Sequence, residues 1–206
     1  MLRVGLTGGI ATGKSTVVAM LRELGCHVLE ADKMAHEIIA PGRPAYDEVV
    51  GEFGSAILRP DGFIERPRLA ALVFHDPARL ARLNAIIHPR VLAECDHQLE
   101  RLERSDPHGI AVIEAALLIE ARHHERLDRL AVVFCTPEQQ IERLTDPAYG
   151  RAMPREQAEG RIAAQMDPAE KLKIANDIID CSGTLEETRR QVDALVERWK
   201  QLARSR

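Results

Sequence analysis

The 206-residue sequence predicts an α/β fold of three layers, in which helices cover both faces of a central five-stranded parallel sheet. Two observations lead to this prediction. Short apolar stretches, typical of buried strands, alternate with helical stretches along much of the chain. A glycine-rich segment joins the first strand to the first helix, and right-handed crossovers then place the strands in parallel.

Five apolar stretches are the candidate core strands. The first helix carries its apolar residues on one face and ends near Gly25, a residue type common after helix ends. Pro137 begins another helix, and the last helix begins near Thr184, with Glu187 in position for a capping box. The candidate strands cover residues 1–6, 27–32, the beginning of 109–118, 130–136 and 176–182.

Two stretches interrupt the alternation of strands and helices. Residues 35–105 contain helical patterns without a convincing central strand, and His88-Pro89 predicts a break in one of these helices. Residues 145–173 are polar and rich in proline and arginine, which favours a mobile helical lid. The predicted domains are a core of residues 1–34, 106–144 and 174–206, a helical insertion of residues 35–105, and a lid of residues 145–173.

Composition excludes several classes of protein. The net charge of −4 argues against a general nucleic-acid binder. No apolar run approaches the roughly 18 residues of a membrane span. The four cysteines are far apart and form no C-x-x-C pair, which indicates a reduced, cytoplasmic protein without a disulfide or zinc framework.

The motif G-x-x-x-x-G-K-S runs from Gly8 to Ser15 between the first strand and the first helix. In this context it predicts a phosphate-binding loop and a P-loop NTPase fold. Lys14 is expected to reach the β and γ phosphates of a nucleotide, and the Ser15 hydroxyl to hold Mg²⁺. The predicted nucleotide-binding residues are Gly8, Gly9, Ile10, Ala11, Thr12, Gly13, Lys14, Ser15 and Thr16.

The loop alone leaves several enzyme classes open. A GTPase would need an N-K-x-D motif, which the sequence lacks. A motor ATPase usually brings a larger domain. A small-molecule kinase needs an acceptor pocket, a base for the acceptor hydroxyl, and arginines that close over the phosphates.

Two carboxylates lie at the ends of candidate strands, the sheet edge where ligands bind. Asp32 could accept the proton of an acceptor hydroxyl, or it could cap a helix beginning at Lys33. Glu114 could hold Mg²⁺, or it could be a surface acid.

Four arginines lie in or beside the lid, where guanidinium groups could bind phosphate oxygens. They are Arg143, Arg151, Arg155 and Arg161, and most of them could instead be solvated. We expect one or two to bind phosphate, Arg143 first and Arg151 second.

Seven segments, in this order, resemble those of dephospho-coenzyme A kinases over about residues 3–195. They are GLTGGIATGKST, EAD, NAIIHPRV, AALLIE, QIERL, GRIAAQM and IIDCSGTLEET.

This resemblance implies transfer of the ATP γ-phosphate to the ribose 3′-hydroxyl of dephospho-CoA, with Mg²⁺, by a monomer or weak homo-oligomer. It implies Asp32 as the base and Arg143 as a phosphate-binding residue. It also places Thr7 beside the loop as a candidate substrate residue, and His88 and Pro89 on the acceptor side. It further implies that the helical insertion is the substrate-binding domain.

The sequence departs from the family pattern at five places. Glu30 replaces an aspartate, Ala116 a common proline, Asn176 an aspartate and Cys181 a common asparagine, and the last two are expected near the adenine. The segment DPAYG lengthens the lid before Arg151. Two alternatives stay open: a kinase for another nucleotide or nucleoside, and a nucleotide-binding regulatory module without catalysis.

Overall fold

A computed structural model of the chain describes residues 1–74, 76–149 and 151–205. Its strands are β1 (Leu2–Gly8), β2 (His27–Glu30), β3 (Ile110–Glu114), β4 (Arg129–Phe134) and β5 (Asp177–Asp180). Its α-helices are α1 (Lys14–Glu23), α2 (Ala31–Ile38), α3 (Pro44–Phe53), α4 (Arg66–Phe74), α5 (Pro77–Ser105), α6 (Pro137–Thr145), α7 (Arg155–Ala163), α8 (Pro168–Ile174) and α9 (Leu185–Arg204). None of the helices in the described part of the chain is long and apolar enough to cross a membrane.

The five strands form one sheet in the order β2-β3-β1-β4-β5, which confirms the predicted five-stranded sheet. β1 pairs in parallel with β3 on one side and with β4 on the other, and β4 pairs in parallel with β5. β1 therefore lies where the strand order changes direction. In open parallel sheets this point, at the carboxyl ends of the strands, is the usual ligand crevice.

The three central strands, β1, β3 and β4, are buried on both faces, which is why they appear in the sequence as continuous apolar runs. Val4 and Leu6 of β1 are fully buried, as is Trp199 of α9. The predicted capping box is present at the start of α9. Thr184 Oγ1 accepts the Glu187 N–H at 3.2 Å, and the Glu187 carboxylate accepts the Thr184 N–H at 2.7 Å.

Asp177, the first residue of β5, is the centre of a buried polar network. Its carboxylate accepts hydrogen bonds from Trp199 Nε1 at 3.0 Å and from Arg129 Nε at 2.8 Å. Burial raises the pKa of Asp177, but the hydrogen bonds from Arg129 and Trp199 outweigh it, so that the pKa lies below its usual value.

We expect Asp177→Asn to destabilise the fold mainly at neutral pH. Because the folded pKa is depressed, the stabilisation is present above the unfolded pKa of about 4 and is lost as pH falls through the folded pKa. The variant should lower the free energy of unfolding by about 2 kcal/mol near neutral pH. Denaturant unfolding at about pH 7 and about pH 3 measures the difference, which should shrink in acid. A loss of equal size at both pH values would contradict this explanation.

Residues 30–100 form a second compact unit, close to the predicted insertion of residues 35–105. Its helices enclose an apolar cluster of their own. Strand pairing among the described residues of this unit is limited to an isolated bridge between Leu58 and Ile64. The cluster includes Ile39, Val49, Ile57, Leu69 and Ile86.

The break predicted at His88-Pro89 is wrong, because α5 continues through Pro89. An interior proline removes one backbone hydrogen bond and disfavours helix in the preceding residue. Here the helix buries Ile86 before Pro89, and Val91 and Cys95 after it. Burial of this face offsets the local preference against helix.

The lid, residues 145–173, lies in the same compact unit as the sheet. α7 packs on α6, and α8 packs on β4. Ala158 is fully buried and Lys171 is 1% exposed, with its Nζ 2.8 Å from Glu120 Oε1. A buried ammonium needs a close anion, and here the anion lies in the segment after β3. A segment that is polar in sequence therefore places a buried charge beside an anion of the core.

Candidate active site

Residues 8–15 form a tight loop between β1 and α1, and two of its glycines are required by the geometry. Gly13 has a φ of 103°, in the left-handed region that favours glycine. A Cβ on Gly8 would lie 2.4 Å from the carbonyl oxygen of Val133 in the neighbouring strand β4. The glycines that define the motif therefore allow the turn and its close approach to the sheet.

The loop leads directly into the positive end of α1. The N–H groups of Thr16 and Val17 donate to the Gly13 carbonyl at 3.0 and 3.2 Å, which starts the helix. The first N–H groups of a helix have no partner within it, and they favour a bound anion. The site can therefore receive phosphate, as the sequence predicts.

Side chains from α6 bind the carbonyl groups of the loop. Gln140 Nε2 donates to the Ile10 carbonyl at 2.7 Å. Arg143 Nη1 lies 3.3 Å from the Ala11 carbonyl oxygen, and Nη2 donates to the Cys181 carbonyl at 2.8 Å. With carbonyl groups held by α6, the loop is organised to direct N–H groups towards a ligand.

These contacts change the interpretation of Arg143, which the sequence predicts to bind phosphate. Its guanidinium binds backbone carbonyls, so its first role in this structure is to shape the loop. It also lines the cavity beside the loop, and it brings its positive charge there.

Lys14 and Glu114 form an ion pair at the carboxyl edge of the sheet. Lys14 Nζ lies 3.3 Å from Glu114 Oε1, and the two side chains are 16% and 12% exposed. Glu114 is the last residue of β3, which pairs with β1, so the strand order itself brings the two charges together. The structure thus joins two residues that the sequence singled out separately.

Two neighbouring cavities open at the loop. The smaller, about 210 Å³, is lined by loop residues together with Arg143, Tyr149 and Arg151. The larger, about 390 Å³, shares Arg143 and Tyr149 with it and extends to Cys181 and Leu185. The smaller cavity suits phosphates because Lys14, Arg143 and Arg151 line it. The larger cavity offers apolar and aromatic surface.

The remaining predicted residues have different surroundings. Thr7 is fully buried, and its hydroxyl donates to the Ala116 carbonyl at 3.3 Å, which joins β1 to the segment after β3. Asp32, His88 and Pro89 belong to the helical unit. Burial lowers the pKa of His88 below its usual value.

Asp32 is not the helix cap that the sequence allowed as its alternative role. α2 begins at Ala31, with Glu30 in the capping position, and Asp32 lies in the first turn with its side chain exposed. The helix starts two residues earlier than expected. The alternative of a capping role for Asp32 is therefore wrong, and its catalytic role stays a prediction.

Comparison with known proteins agrees with this geometry. The family model "Dephospho-CoA kinase" matches residues 2–187. The chain belongs to the dephospho-CoA kinase family. A dephospho-CoA kinase of Leifsonia xyli subsp. xyli is 44% identical over 95% of this chain and 97% of its own length. One of Moorella thermoacetica is 41% identical over 99% of this chain and 93% of its own length.

Solved structures give the same fold. TT1252 from Thermus thermophilus superposes with a TM-score of 0.82 at 31% identity, covering 96% of this chain and 97% of that one. Dephospho-CoA kinase from Campylobacter jejuni superposes with a TM-score of 0.64 at 24% identity, covering 96% of each chain. The similarity to the Campylobacter jejuni structure supports the assignment of the fold.

The departures from the dephospho-CoA kinase pattern can now be placed. Cys181 follows β5, lines the larger cavity and has its pKa raised by burial. Asn176 precedes β5, at the amino-terminal end of that strand, where its Oδ1 accepts the Leu130 N–H at 2.7 Å. Asn176 and Cys181, which were both expected near the adenine, therefore lie at opposite ends of β5. Of the added segment DPAYG, Gly150 lies outside the described residues.

Three side chains of this dephospho-CoA kinase site were missed in the sequence. Gln140 lies three residues before Arg143 on the same face of α6, and this spacing could have indicated it. Gln165 and Tyr149 lie outside the α-helices of the lid, so no helical periodicity in the sequence indicates which way they face. Gln165 Oε1 accepts the Ile10 N–H at 2.8 Å.

Proposed function

We propose that this chain transfers the γ-phosphate of ATP to the ribose 3′-hydroxyl of dephospho-CoA, the last step of CoA biosynthesis. The observation that carries the proposal is the cavity in which Arg143 and Arg151 flank the Lys14 loop, in a chain of this family. Phosphoryl transfer depends mainly on positioning and on stabilisation of charge, and these residues supply both.

On the donor side, the loop and the start of α1 bind the phosphates of ATP. Lys14 turns from Glu114 to the β and γ phosphates, where it stabilises the charge on the transferred group. Arg151 adds a second cation from the lid. The larger cavity, with Tyr149 and Leu185 in its wall, accommodates the base.

The oxygen groups beside Lys14 suit Mg²⁺. Ser15 lines the phosphate cavity, and the Glu114 carboxylate lies close to Lys14. Within residues 1–74, 76–149 and 151–205, no group of three His, Cys, Asp or Glu side chains could hold a metal alone. Mg²⁺ commonly uses one or two protein oxygens together with substrate phosphates, so Ser15 and Glu114 are the assigned ligands. When bound, Mg²⁺ would neutralise charge on the β and γ phosphates.

On the acceptor side, the helical unit receives dephospho-CoA, and Asp32 takes the proton of its 3′-hydroxyl. His88 and Pro89 of α5 are assigned to the same side. A cavity of about 320 Å³ within this unit offers apolar surface together with charged groups of both signs. It is lined by Met34, Glu37, Ile38, Arg43, Pro44, Arg90 and Glu94. Because ATP is the donor, the cytoplasm is the proposed compartment.

Release of ADP from ATP, measured with dephospho-CoA, AMP, UMP or adenosine as acceptor, tests this function. We expect turnover with dephospho-CoA. Turnover with a monophosphate or adenosine alone would identify a different kinase. ATP binding without turnover on any acceptor would favour a regulatory module.

A further inference from the structure

Two glutamine side chains hold the two backbone polar groups of Ile10, the third residue of the phosphate loop. Gln165 Oε1 accepts the Ile10 N–H at 2.8 Å, and Gln140 Nε2 donates to the Ile10 carbonyl at 2.7 Å. Gln140 is 2% exposed and lies on α6. Gln165 lies in the lid, after α7. The loop is therefore held both from the core and from the lid.

The two carboxamides approach each other at Gly9. A Cβ on Gly9 would lie 2.7 Å from Gln140 Nε2 and 3.4 Å from Gln165 Oε1. Gly9 has no contact of this kind with the backbone of a neighbouring strand, unlike Gly8. A side chain on Gly9, the first variable position of the motif, would therefore displace the Gln140 carboxamide from its place beside the loop.

Gln165 is itself fixed by the packing of the lid. Its backbone N–H donates to the Ile162 carbonyl at 3.1 Å, at the end of α7. On the other side, α8 is anchored on β4 and by the buried Lys171 beside Glu120. A displacement of either helix would move the Gln165 carboxamide away from Ile10.

We propose that Gln165 is a positioning residue that couples the lid to the phosphate loop. With the lid packed, the Gln165 oxygen holds the Ile10 N–H, and Gln140 holds the Ile10 carbonyl. The loop then keeps the conformation that presents its other N–H groups to phosphate, so less conformational freedom is lost when ATP binds. The inference rests on the proposed function only in taking ATP as the ligand of the loop.

Three variants test this role. Gln165→Met keeps the length of the side chain but lacks the amide oxygen, whereas Gln165→Glu keeps an acceptor oxygen. Gln157→Met makes the same change at an exposed glutamine of α7 and serves as the control. The measurements are hydrogen exchange of the Ile10 amide without nucleotide, and the dissociation constant for ATP.

Gln165→Met should speed exchange at Ile10 by roughly 5- to 10-fold and weaken ATP binding by a similar factor, as expected for one hydrogen bond. Gln165→Glu should keep the Ile10 amide protected, and Gln157→Met should change neither quantity. Unchanged exchange at Ile10 in Gln165→Met would overturn the proposal. So would a uniform rise in exchange over the whole sheet unit, because that would indicate a general loss of stability. Since exchange is measured without acceptor or nucleotide, failure of the proposed kinase activity would be seen separately, in the wild-type ADP assay.

Discussion

A Lys14→Met variant is expected to lower kcat by roughly 10²- to 10³-fold, because it removes a positioned cation from the transferred phosphate. Methionine keeps most of the apolar stem of the 16% exposed side chain, so the fold should be retained. The variant also leaves Glu114 without the lysine that lies 3.3 Å away. Part of the loss could therefore arise from the carboxylate repelling ATP.

The double variant Lys14→Met, Glu114→Gln removes both charges, and the single variant Glu114→Gln measures the loss that comes from removing the assigned Mg²⁺ ligand. Comparison of the three variants separates the effects. Steady-state ADP release with saturating ATP and dephospho-CoA measures kcat for each protein. Lys173→Met is the matched control, because Lys173 is an exposed lysine that pairs with Glu170 on the surface of α8. A Lys14→Met enzyme within tenfold of wild type would rule out the assigned role.

Asp32→Asn is expected to lower kcat by roughly 10²-fold or more, because the amide cannot accept the proton of the 3′-hydroxyl. The dissociation constant for ATP should stay within about twofold of wild type, since the loop and α1 are unchanged. Asp32 lies in the first turn of α2, so loss of its charge should cost only about 0.3–1 kcal/mol of stability.

Asp47→Asn provides the control for this helix effect. Asp47 is an exposed aspartate in the first turn of α3, in the same helical unit. Its replacement should cost similar stability and leave kcat unchanged. Near-normal turnover by Asp32→Asn, or an equal loss of kcat in Asp47→Asn, would remove the assignment of Asp32 as the base.

The elements that could be predicted from sequence are those with a local cause. Gly13 satisfies a backbone requirement of the turn itself, with a φ of 103°. The central strands are continuous apolar runs because both of their faces are covered. Thr184 and Glu187 cap α9 through contacts three residues apart. Each of these signals is complete within a short window of sequence.

The features that were missed depend on contacts between distant residues. Gln165 reaches Ile10 across 155 positions of the chain, and neither residue type suggests the contact. α5 continues through Pro89 because of the apolar residues buried on both sides of it. The lid packs through Lys171 and Glu120, whose charges favour a solvated surface when each is considered alone.

Because the sheet unit and the helical unit each bury a separate apolar cluster, the chain contains two blocks capable of cooperative melting. The protein has one tryptophan, Trp199, which lies in the cluster of the sheet unit. Tryptophan fluorescence therefore follows the melting of that block alone, whereas far-ultraviolet circular dichroism follows the helices of both. Agreement between the two melting curves is the criterion for treating the unfolding of this enzyme as a single two-state transition.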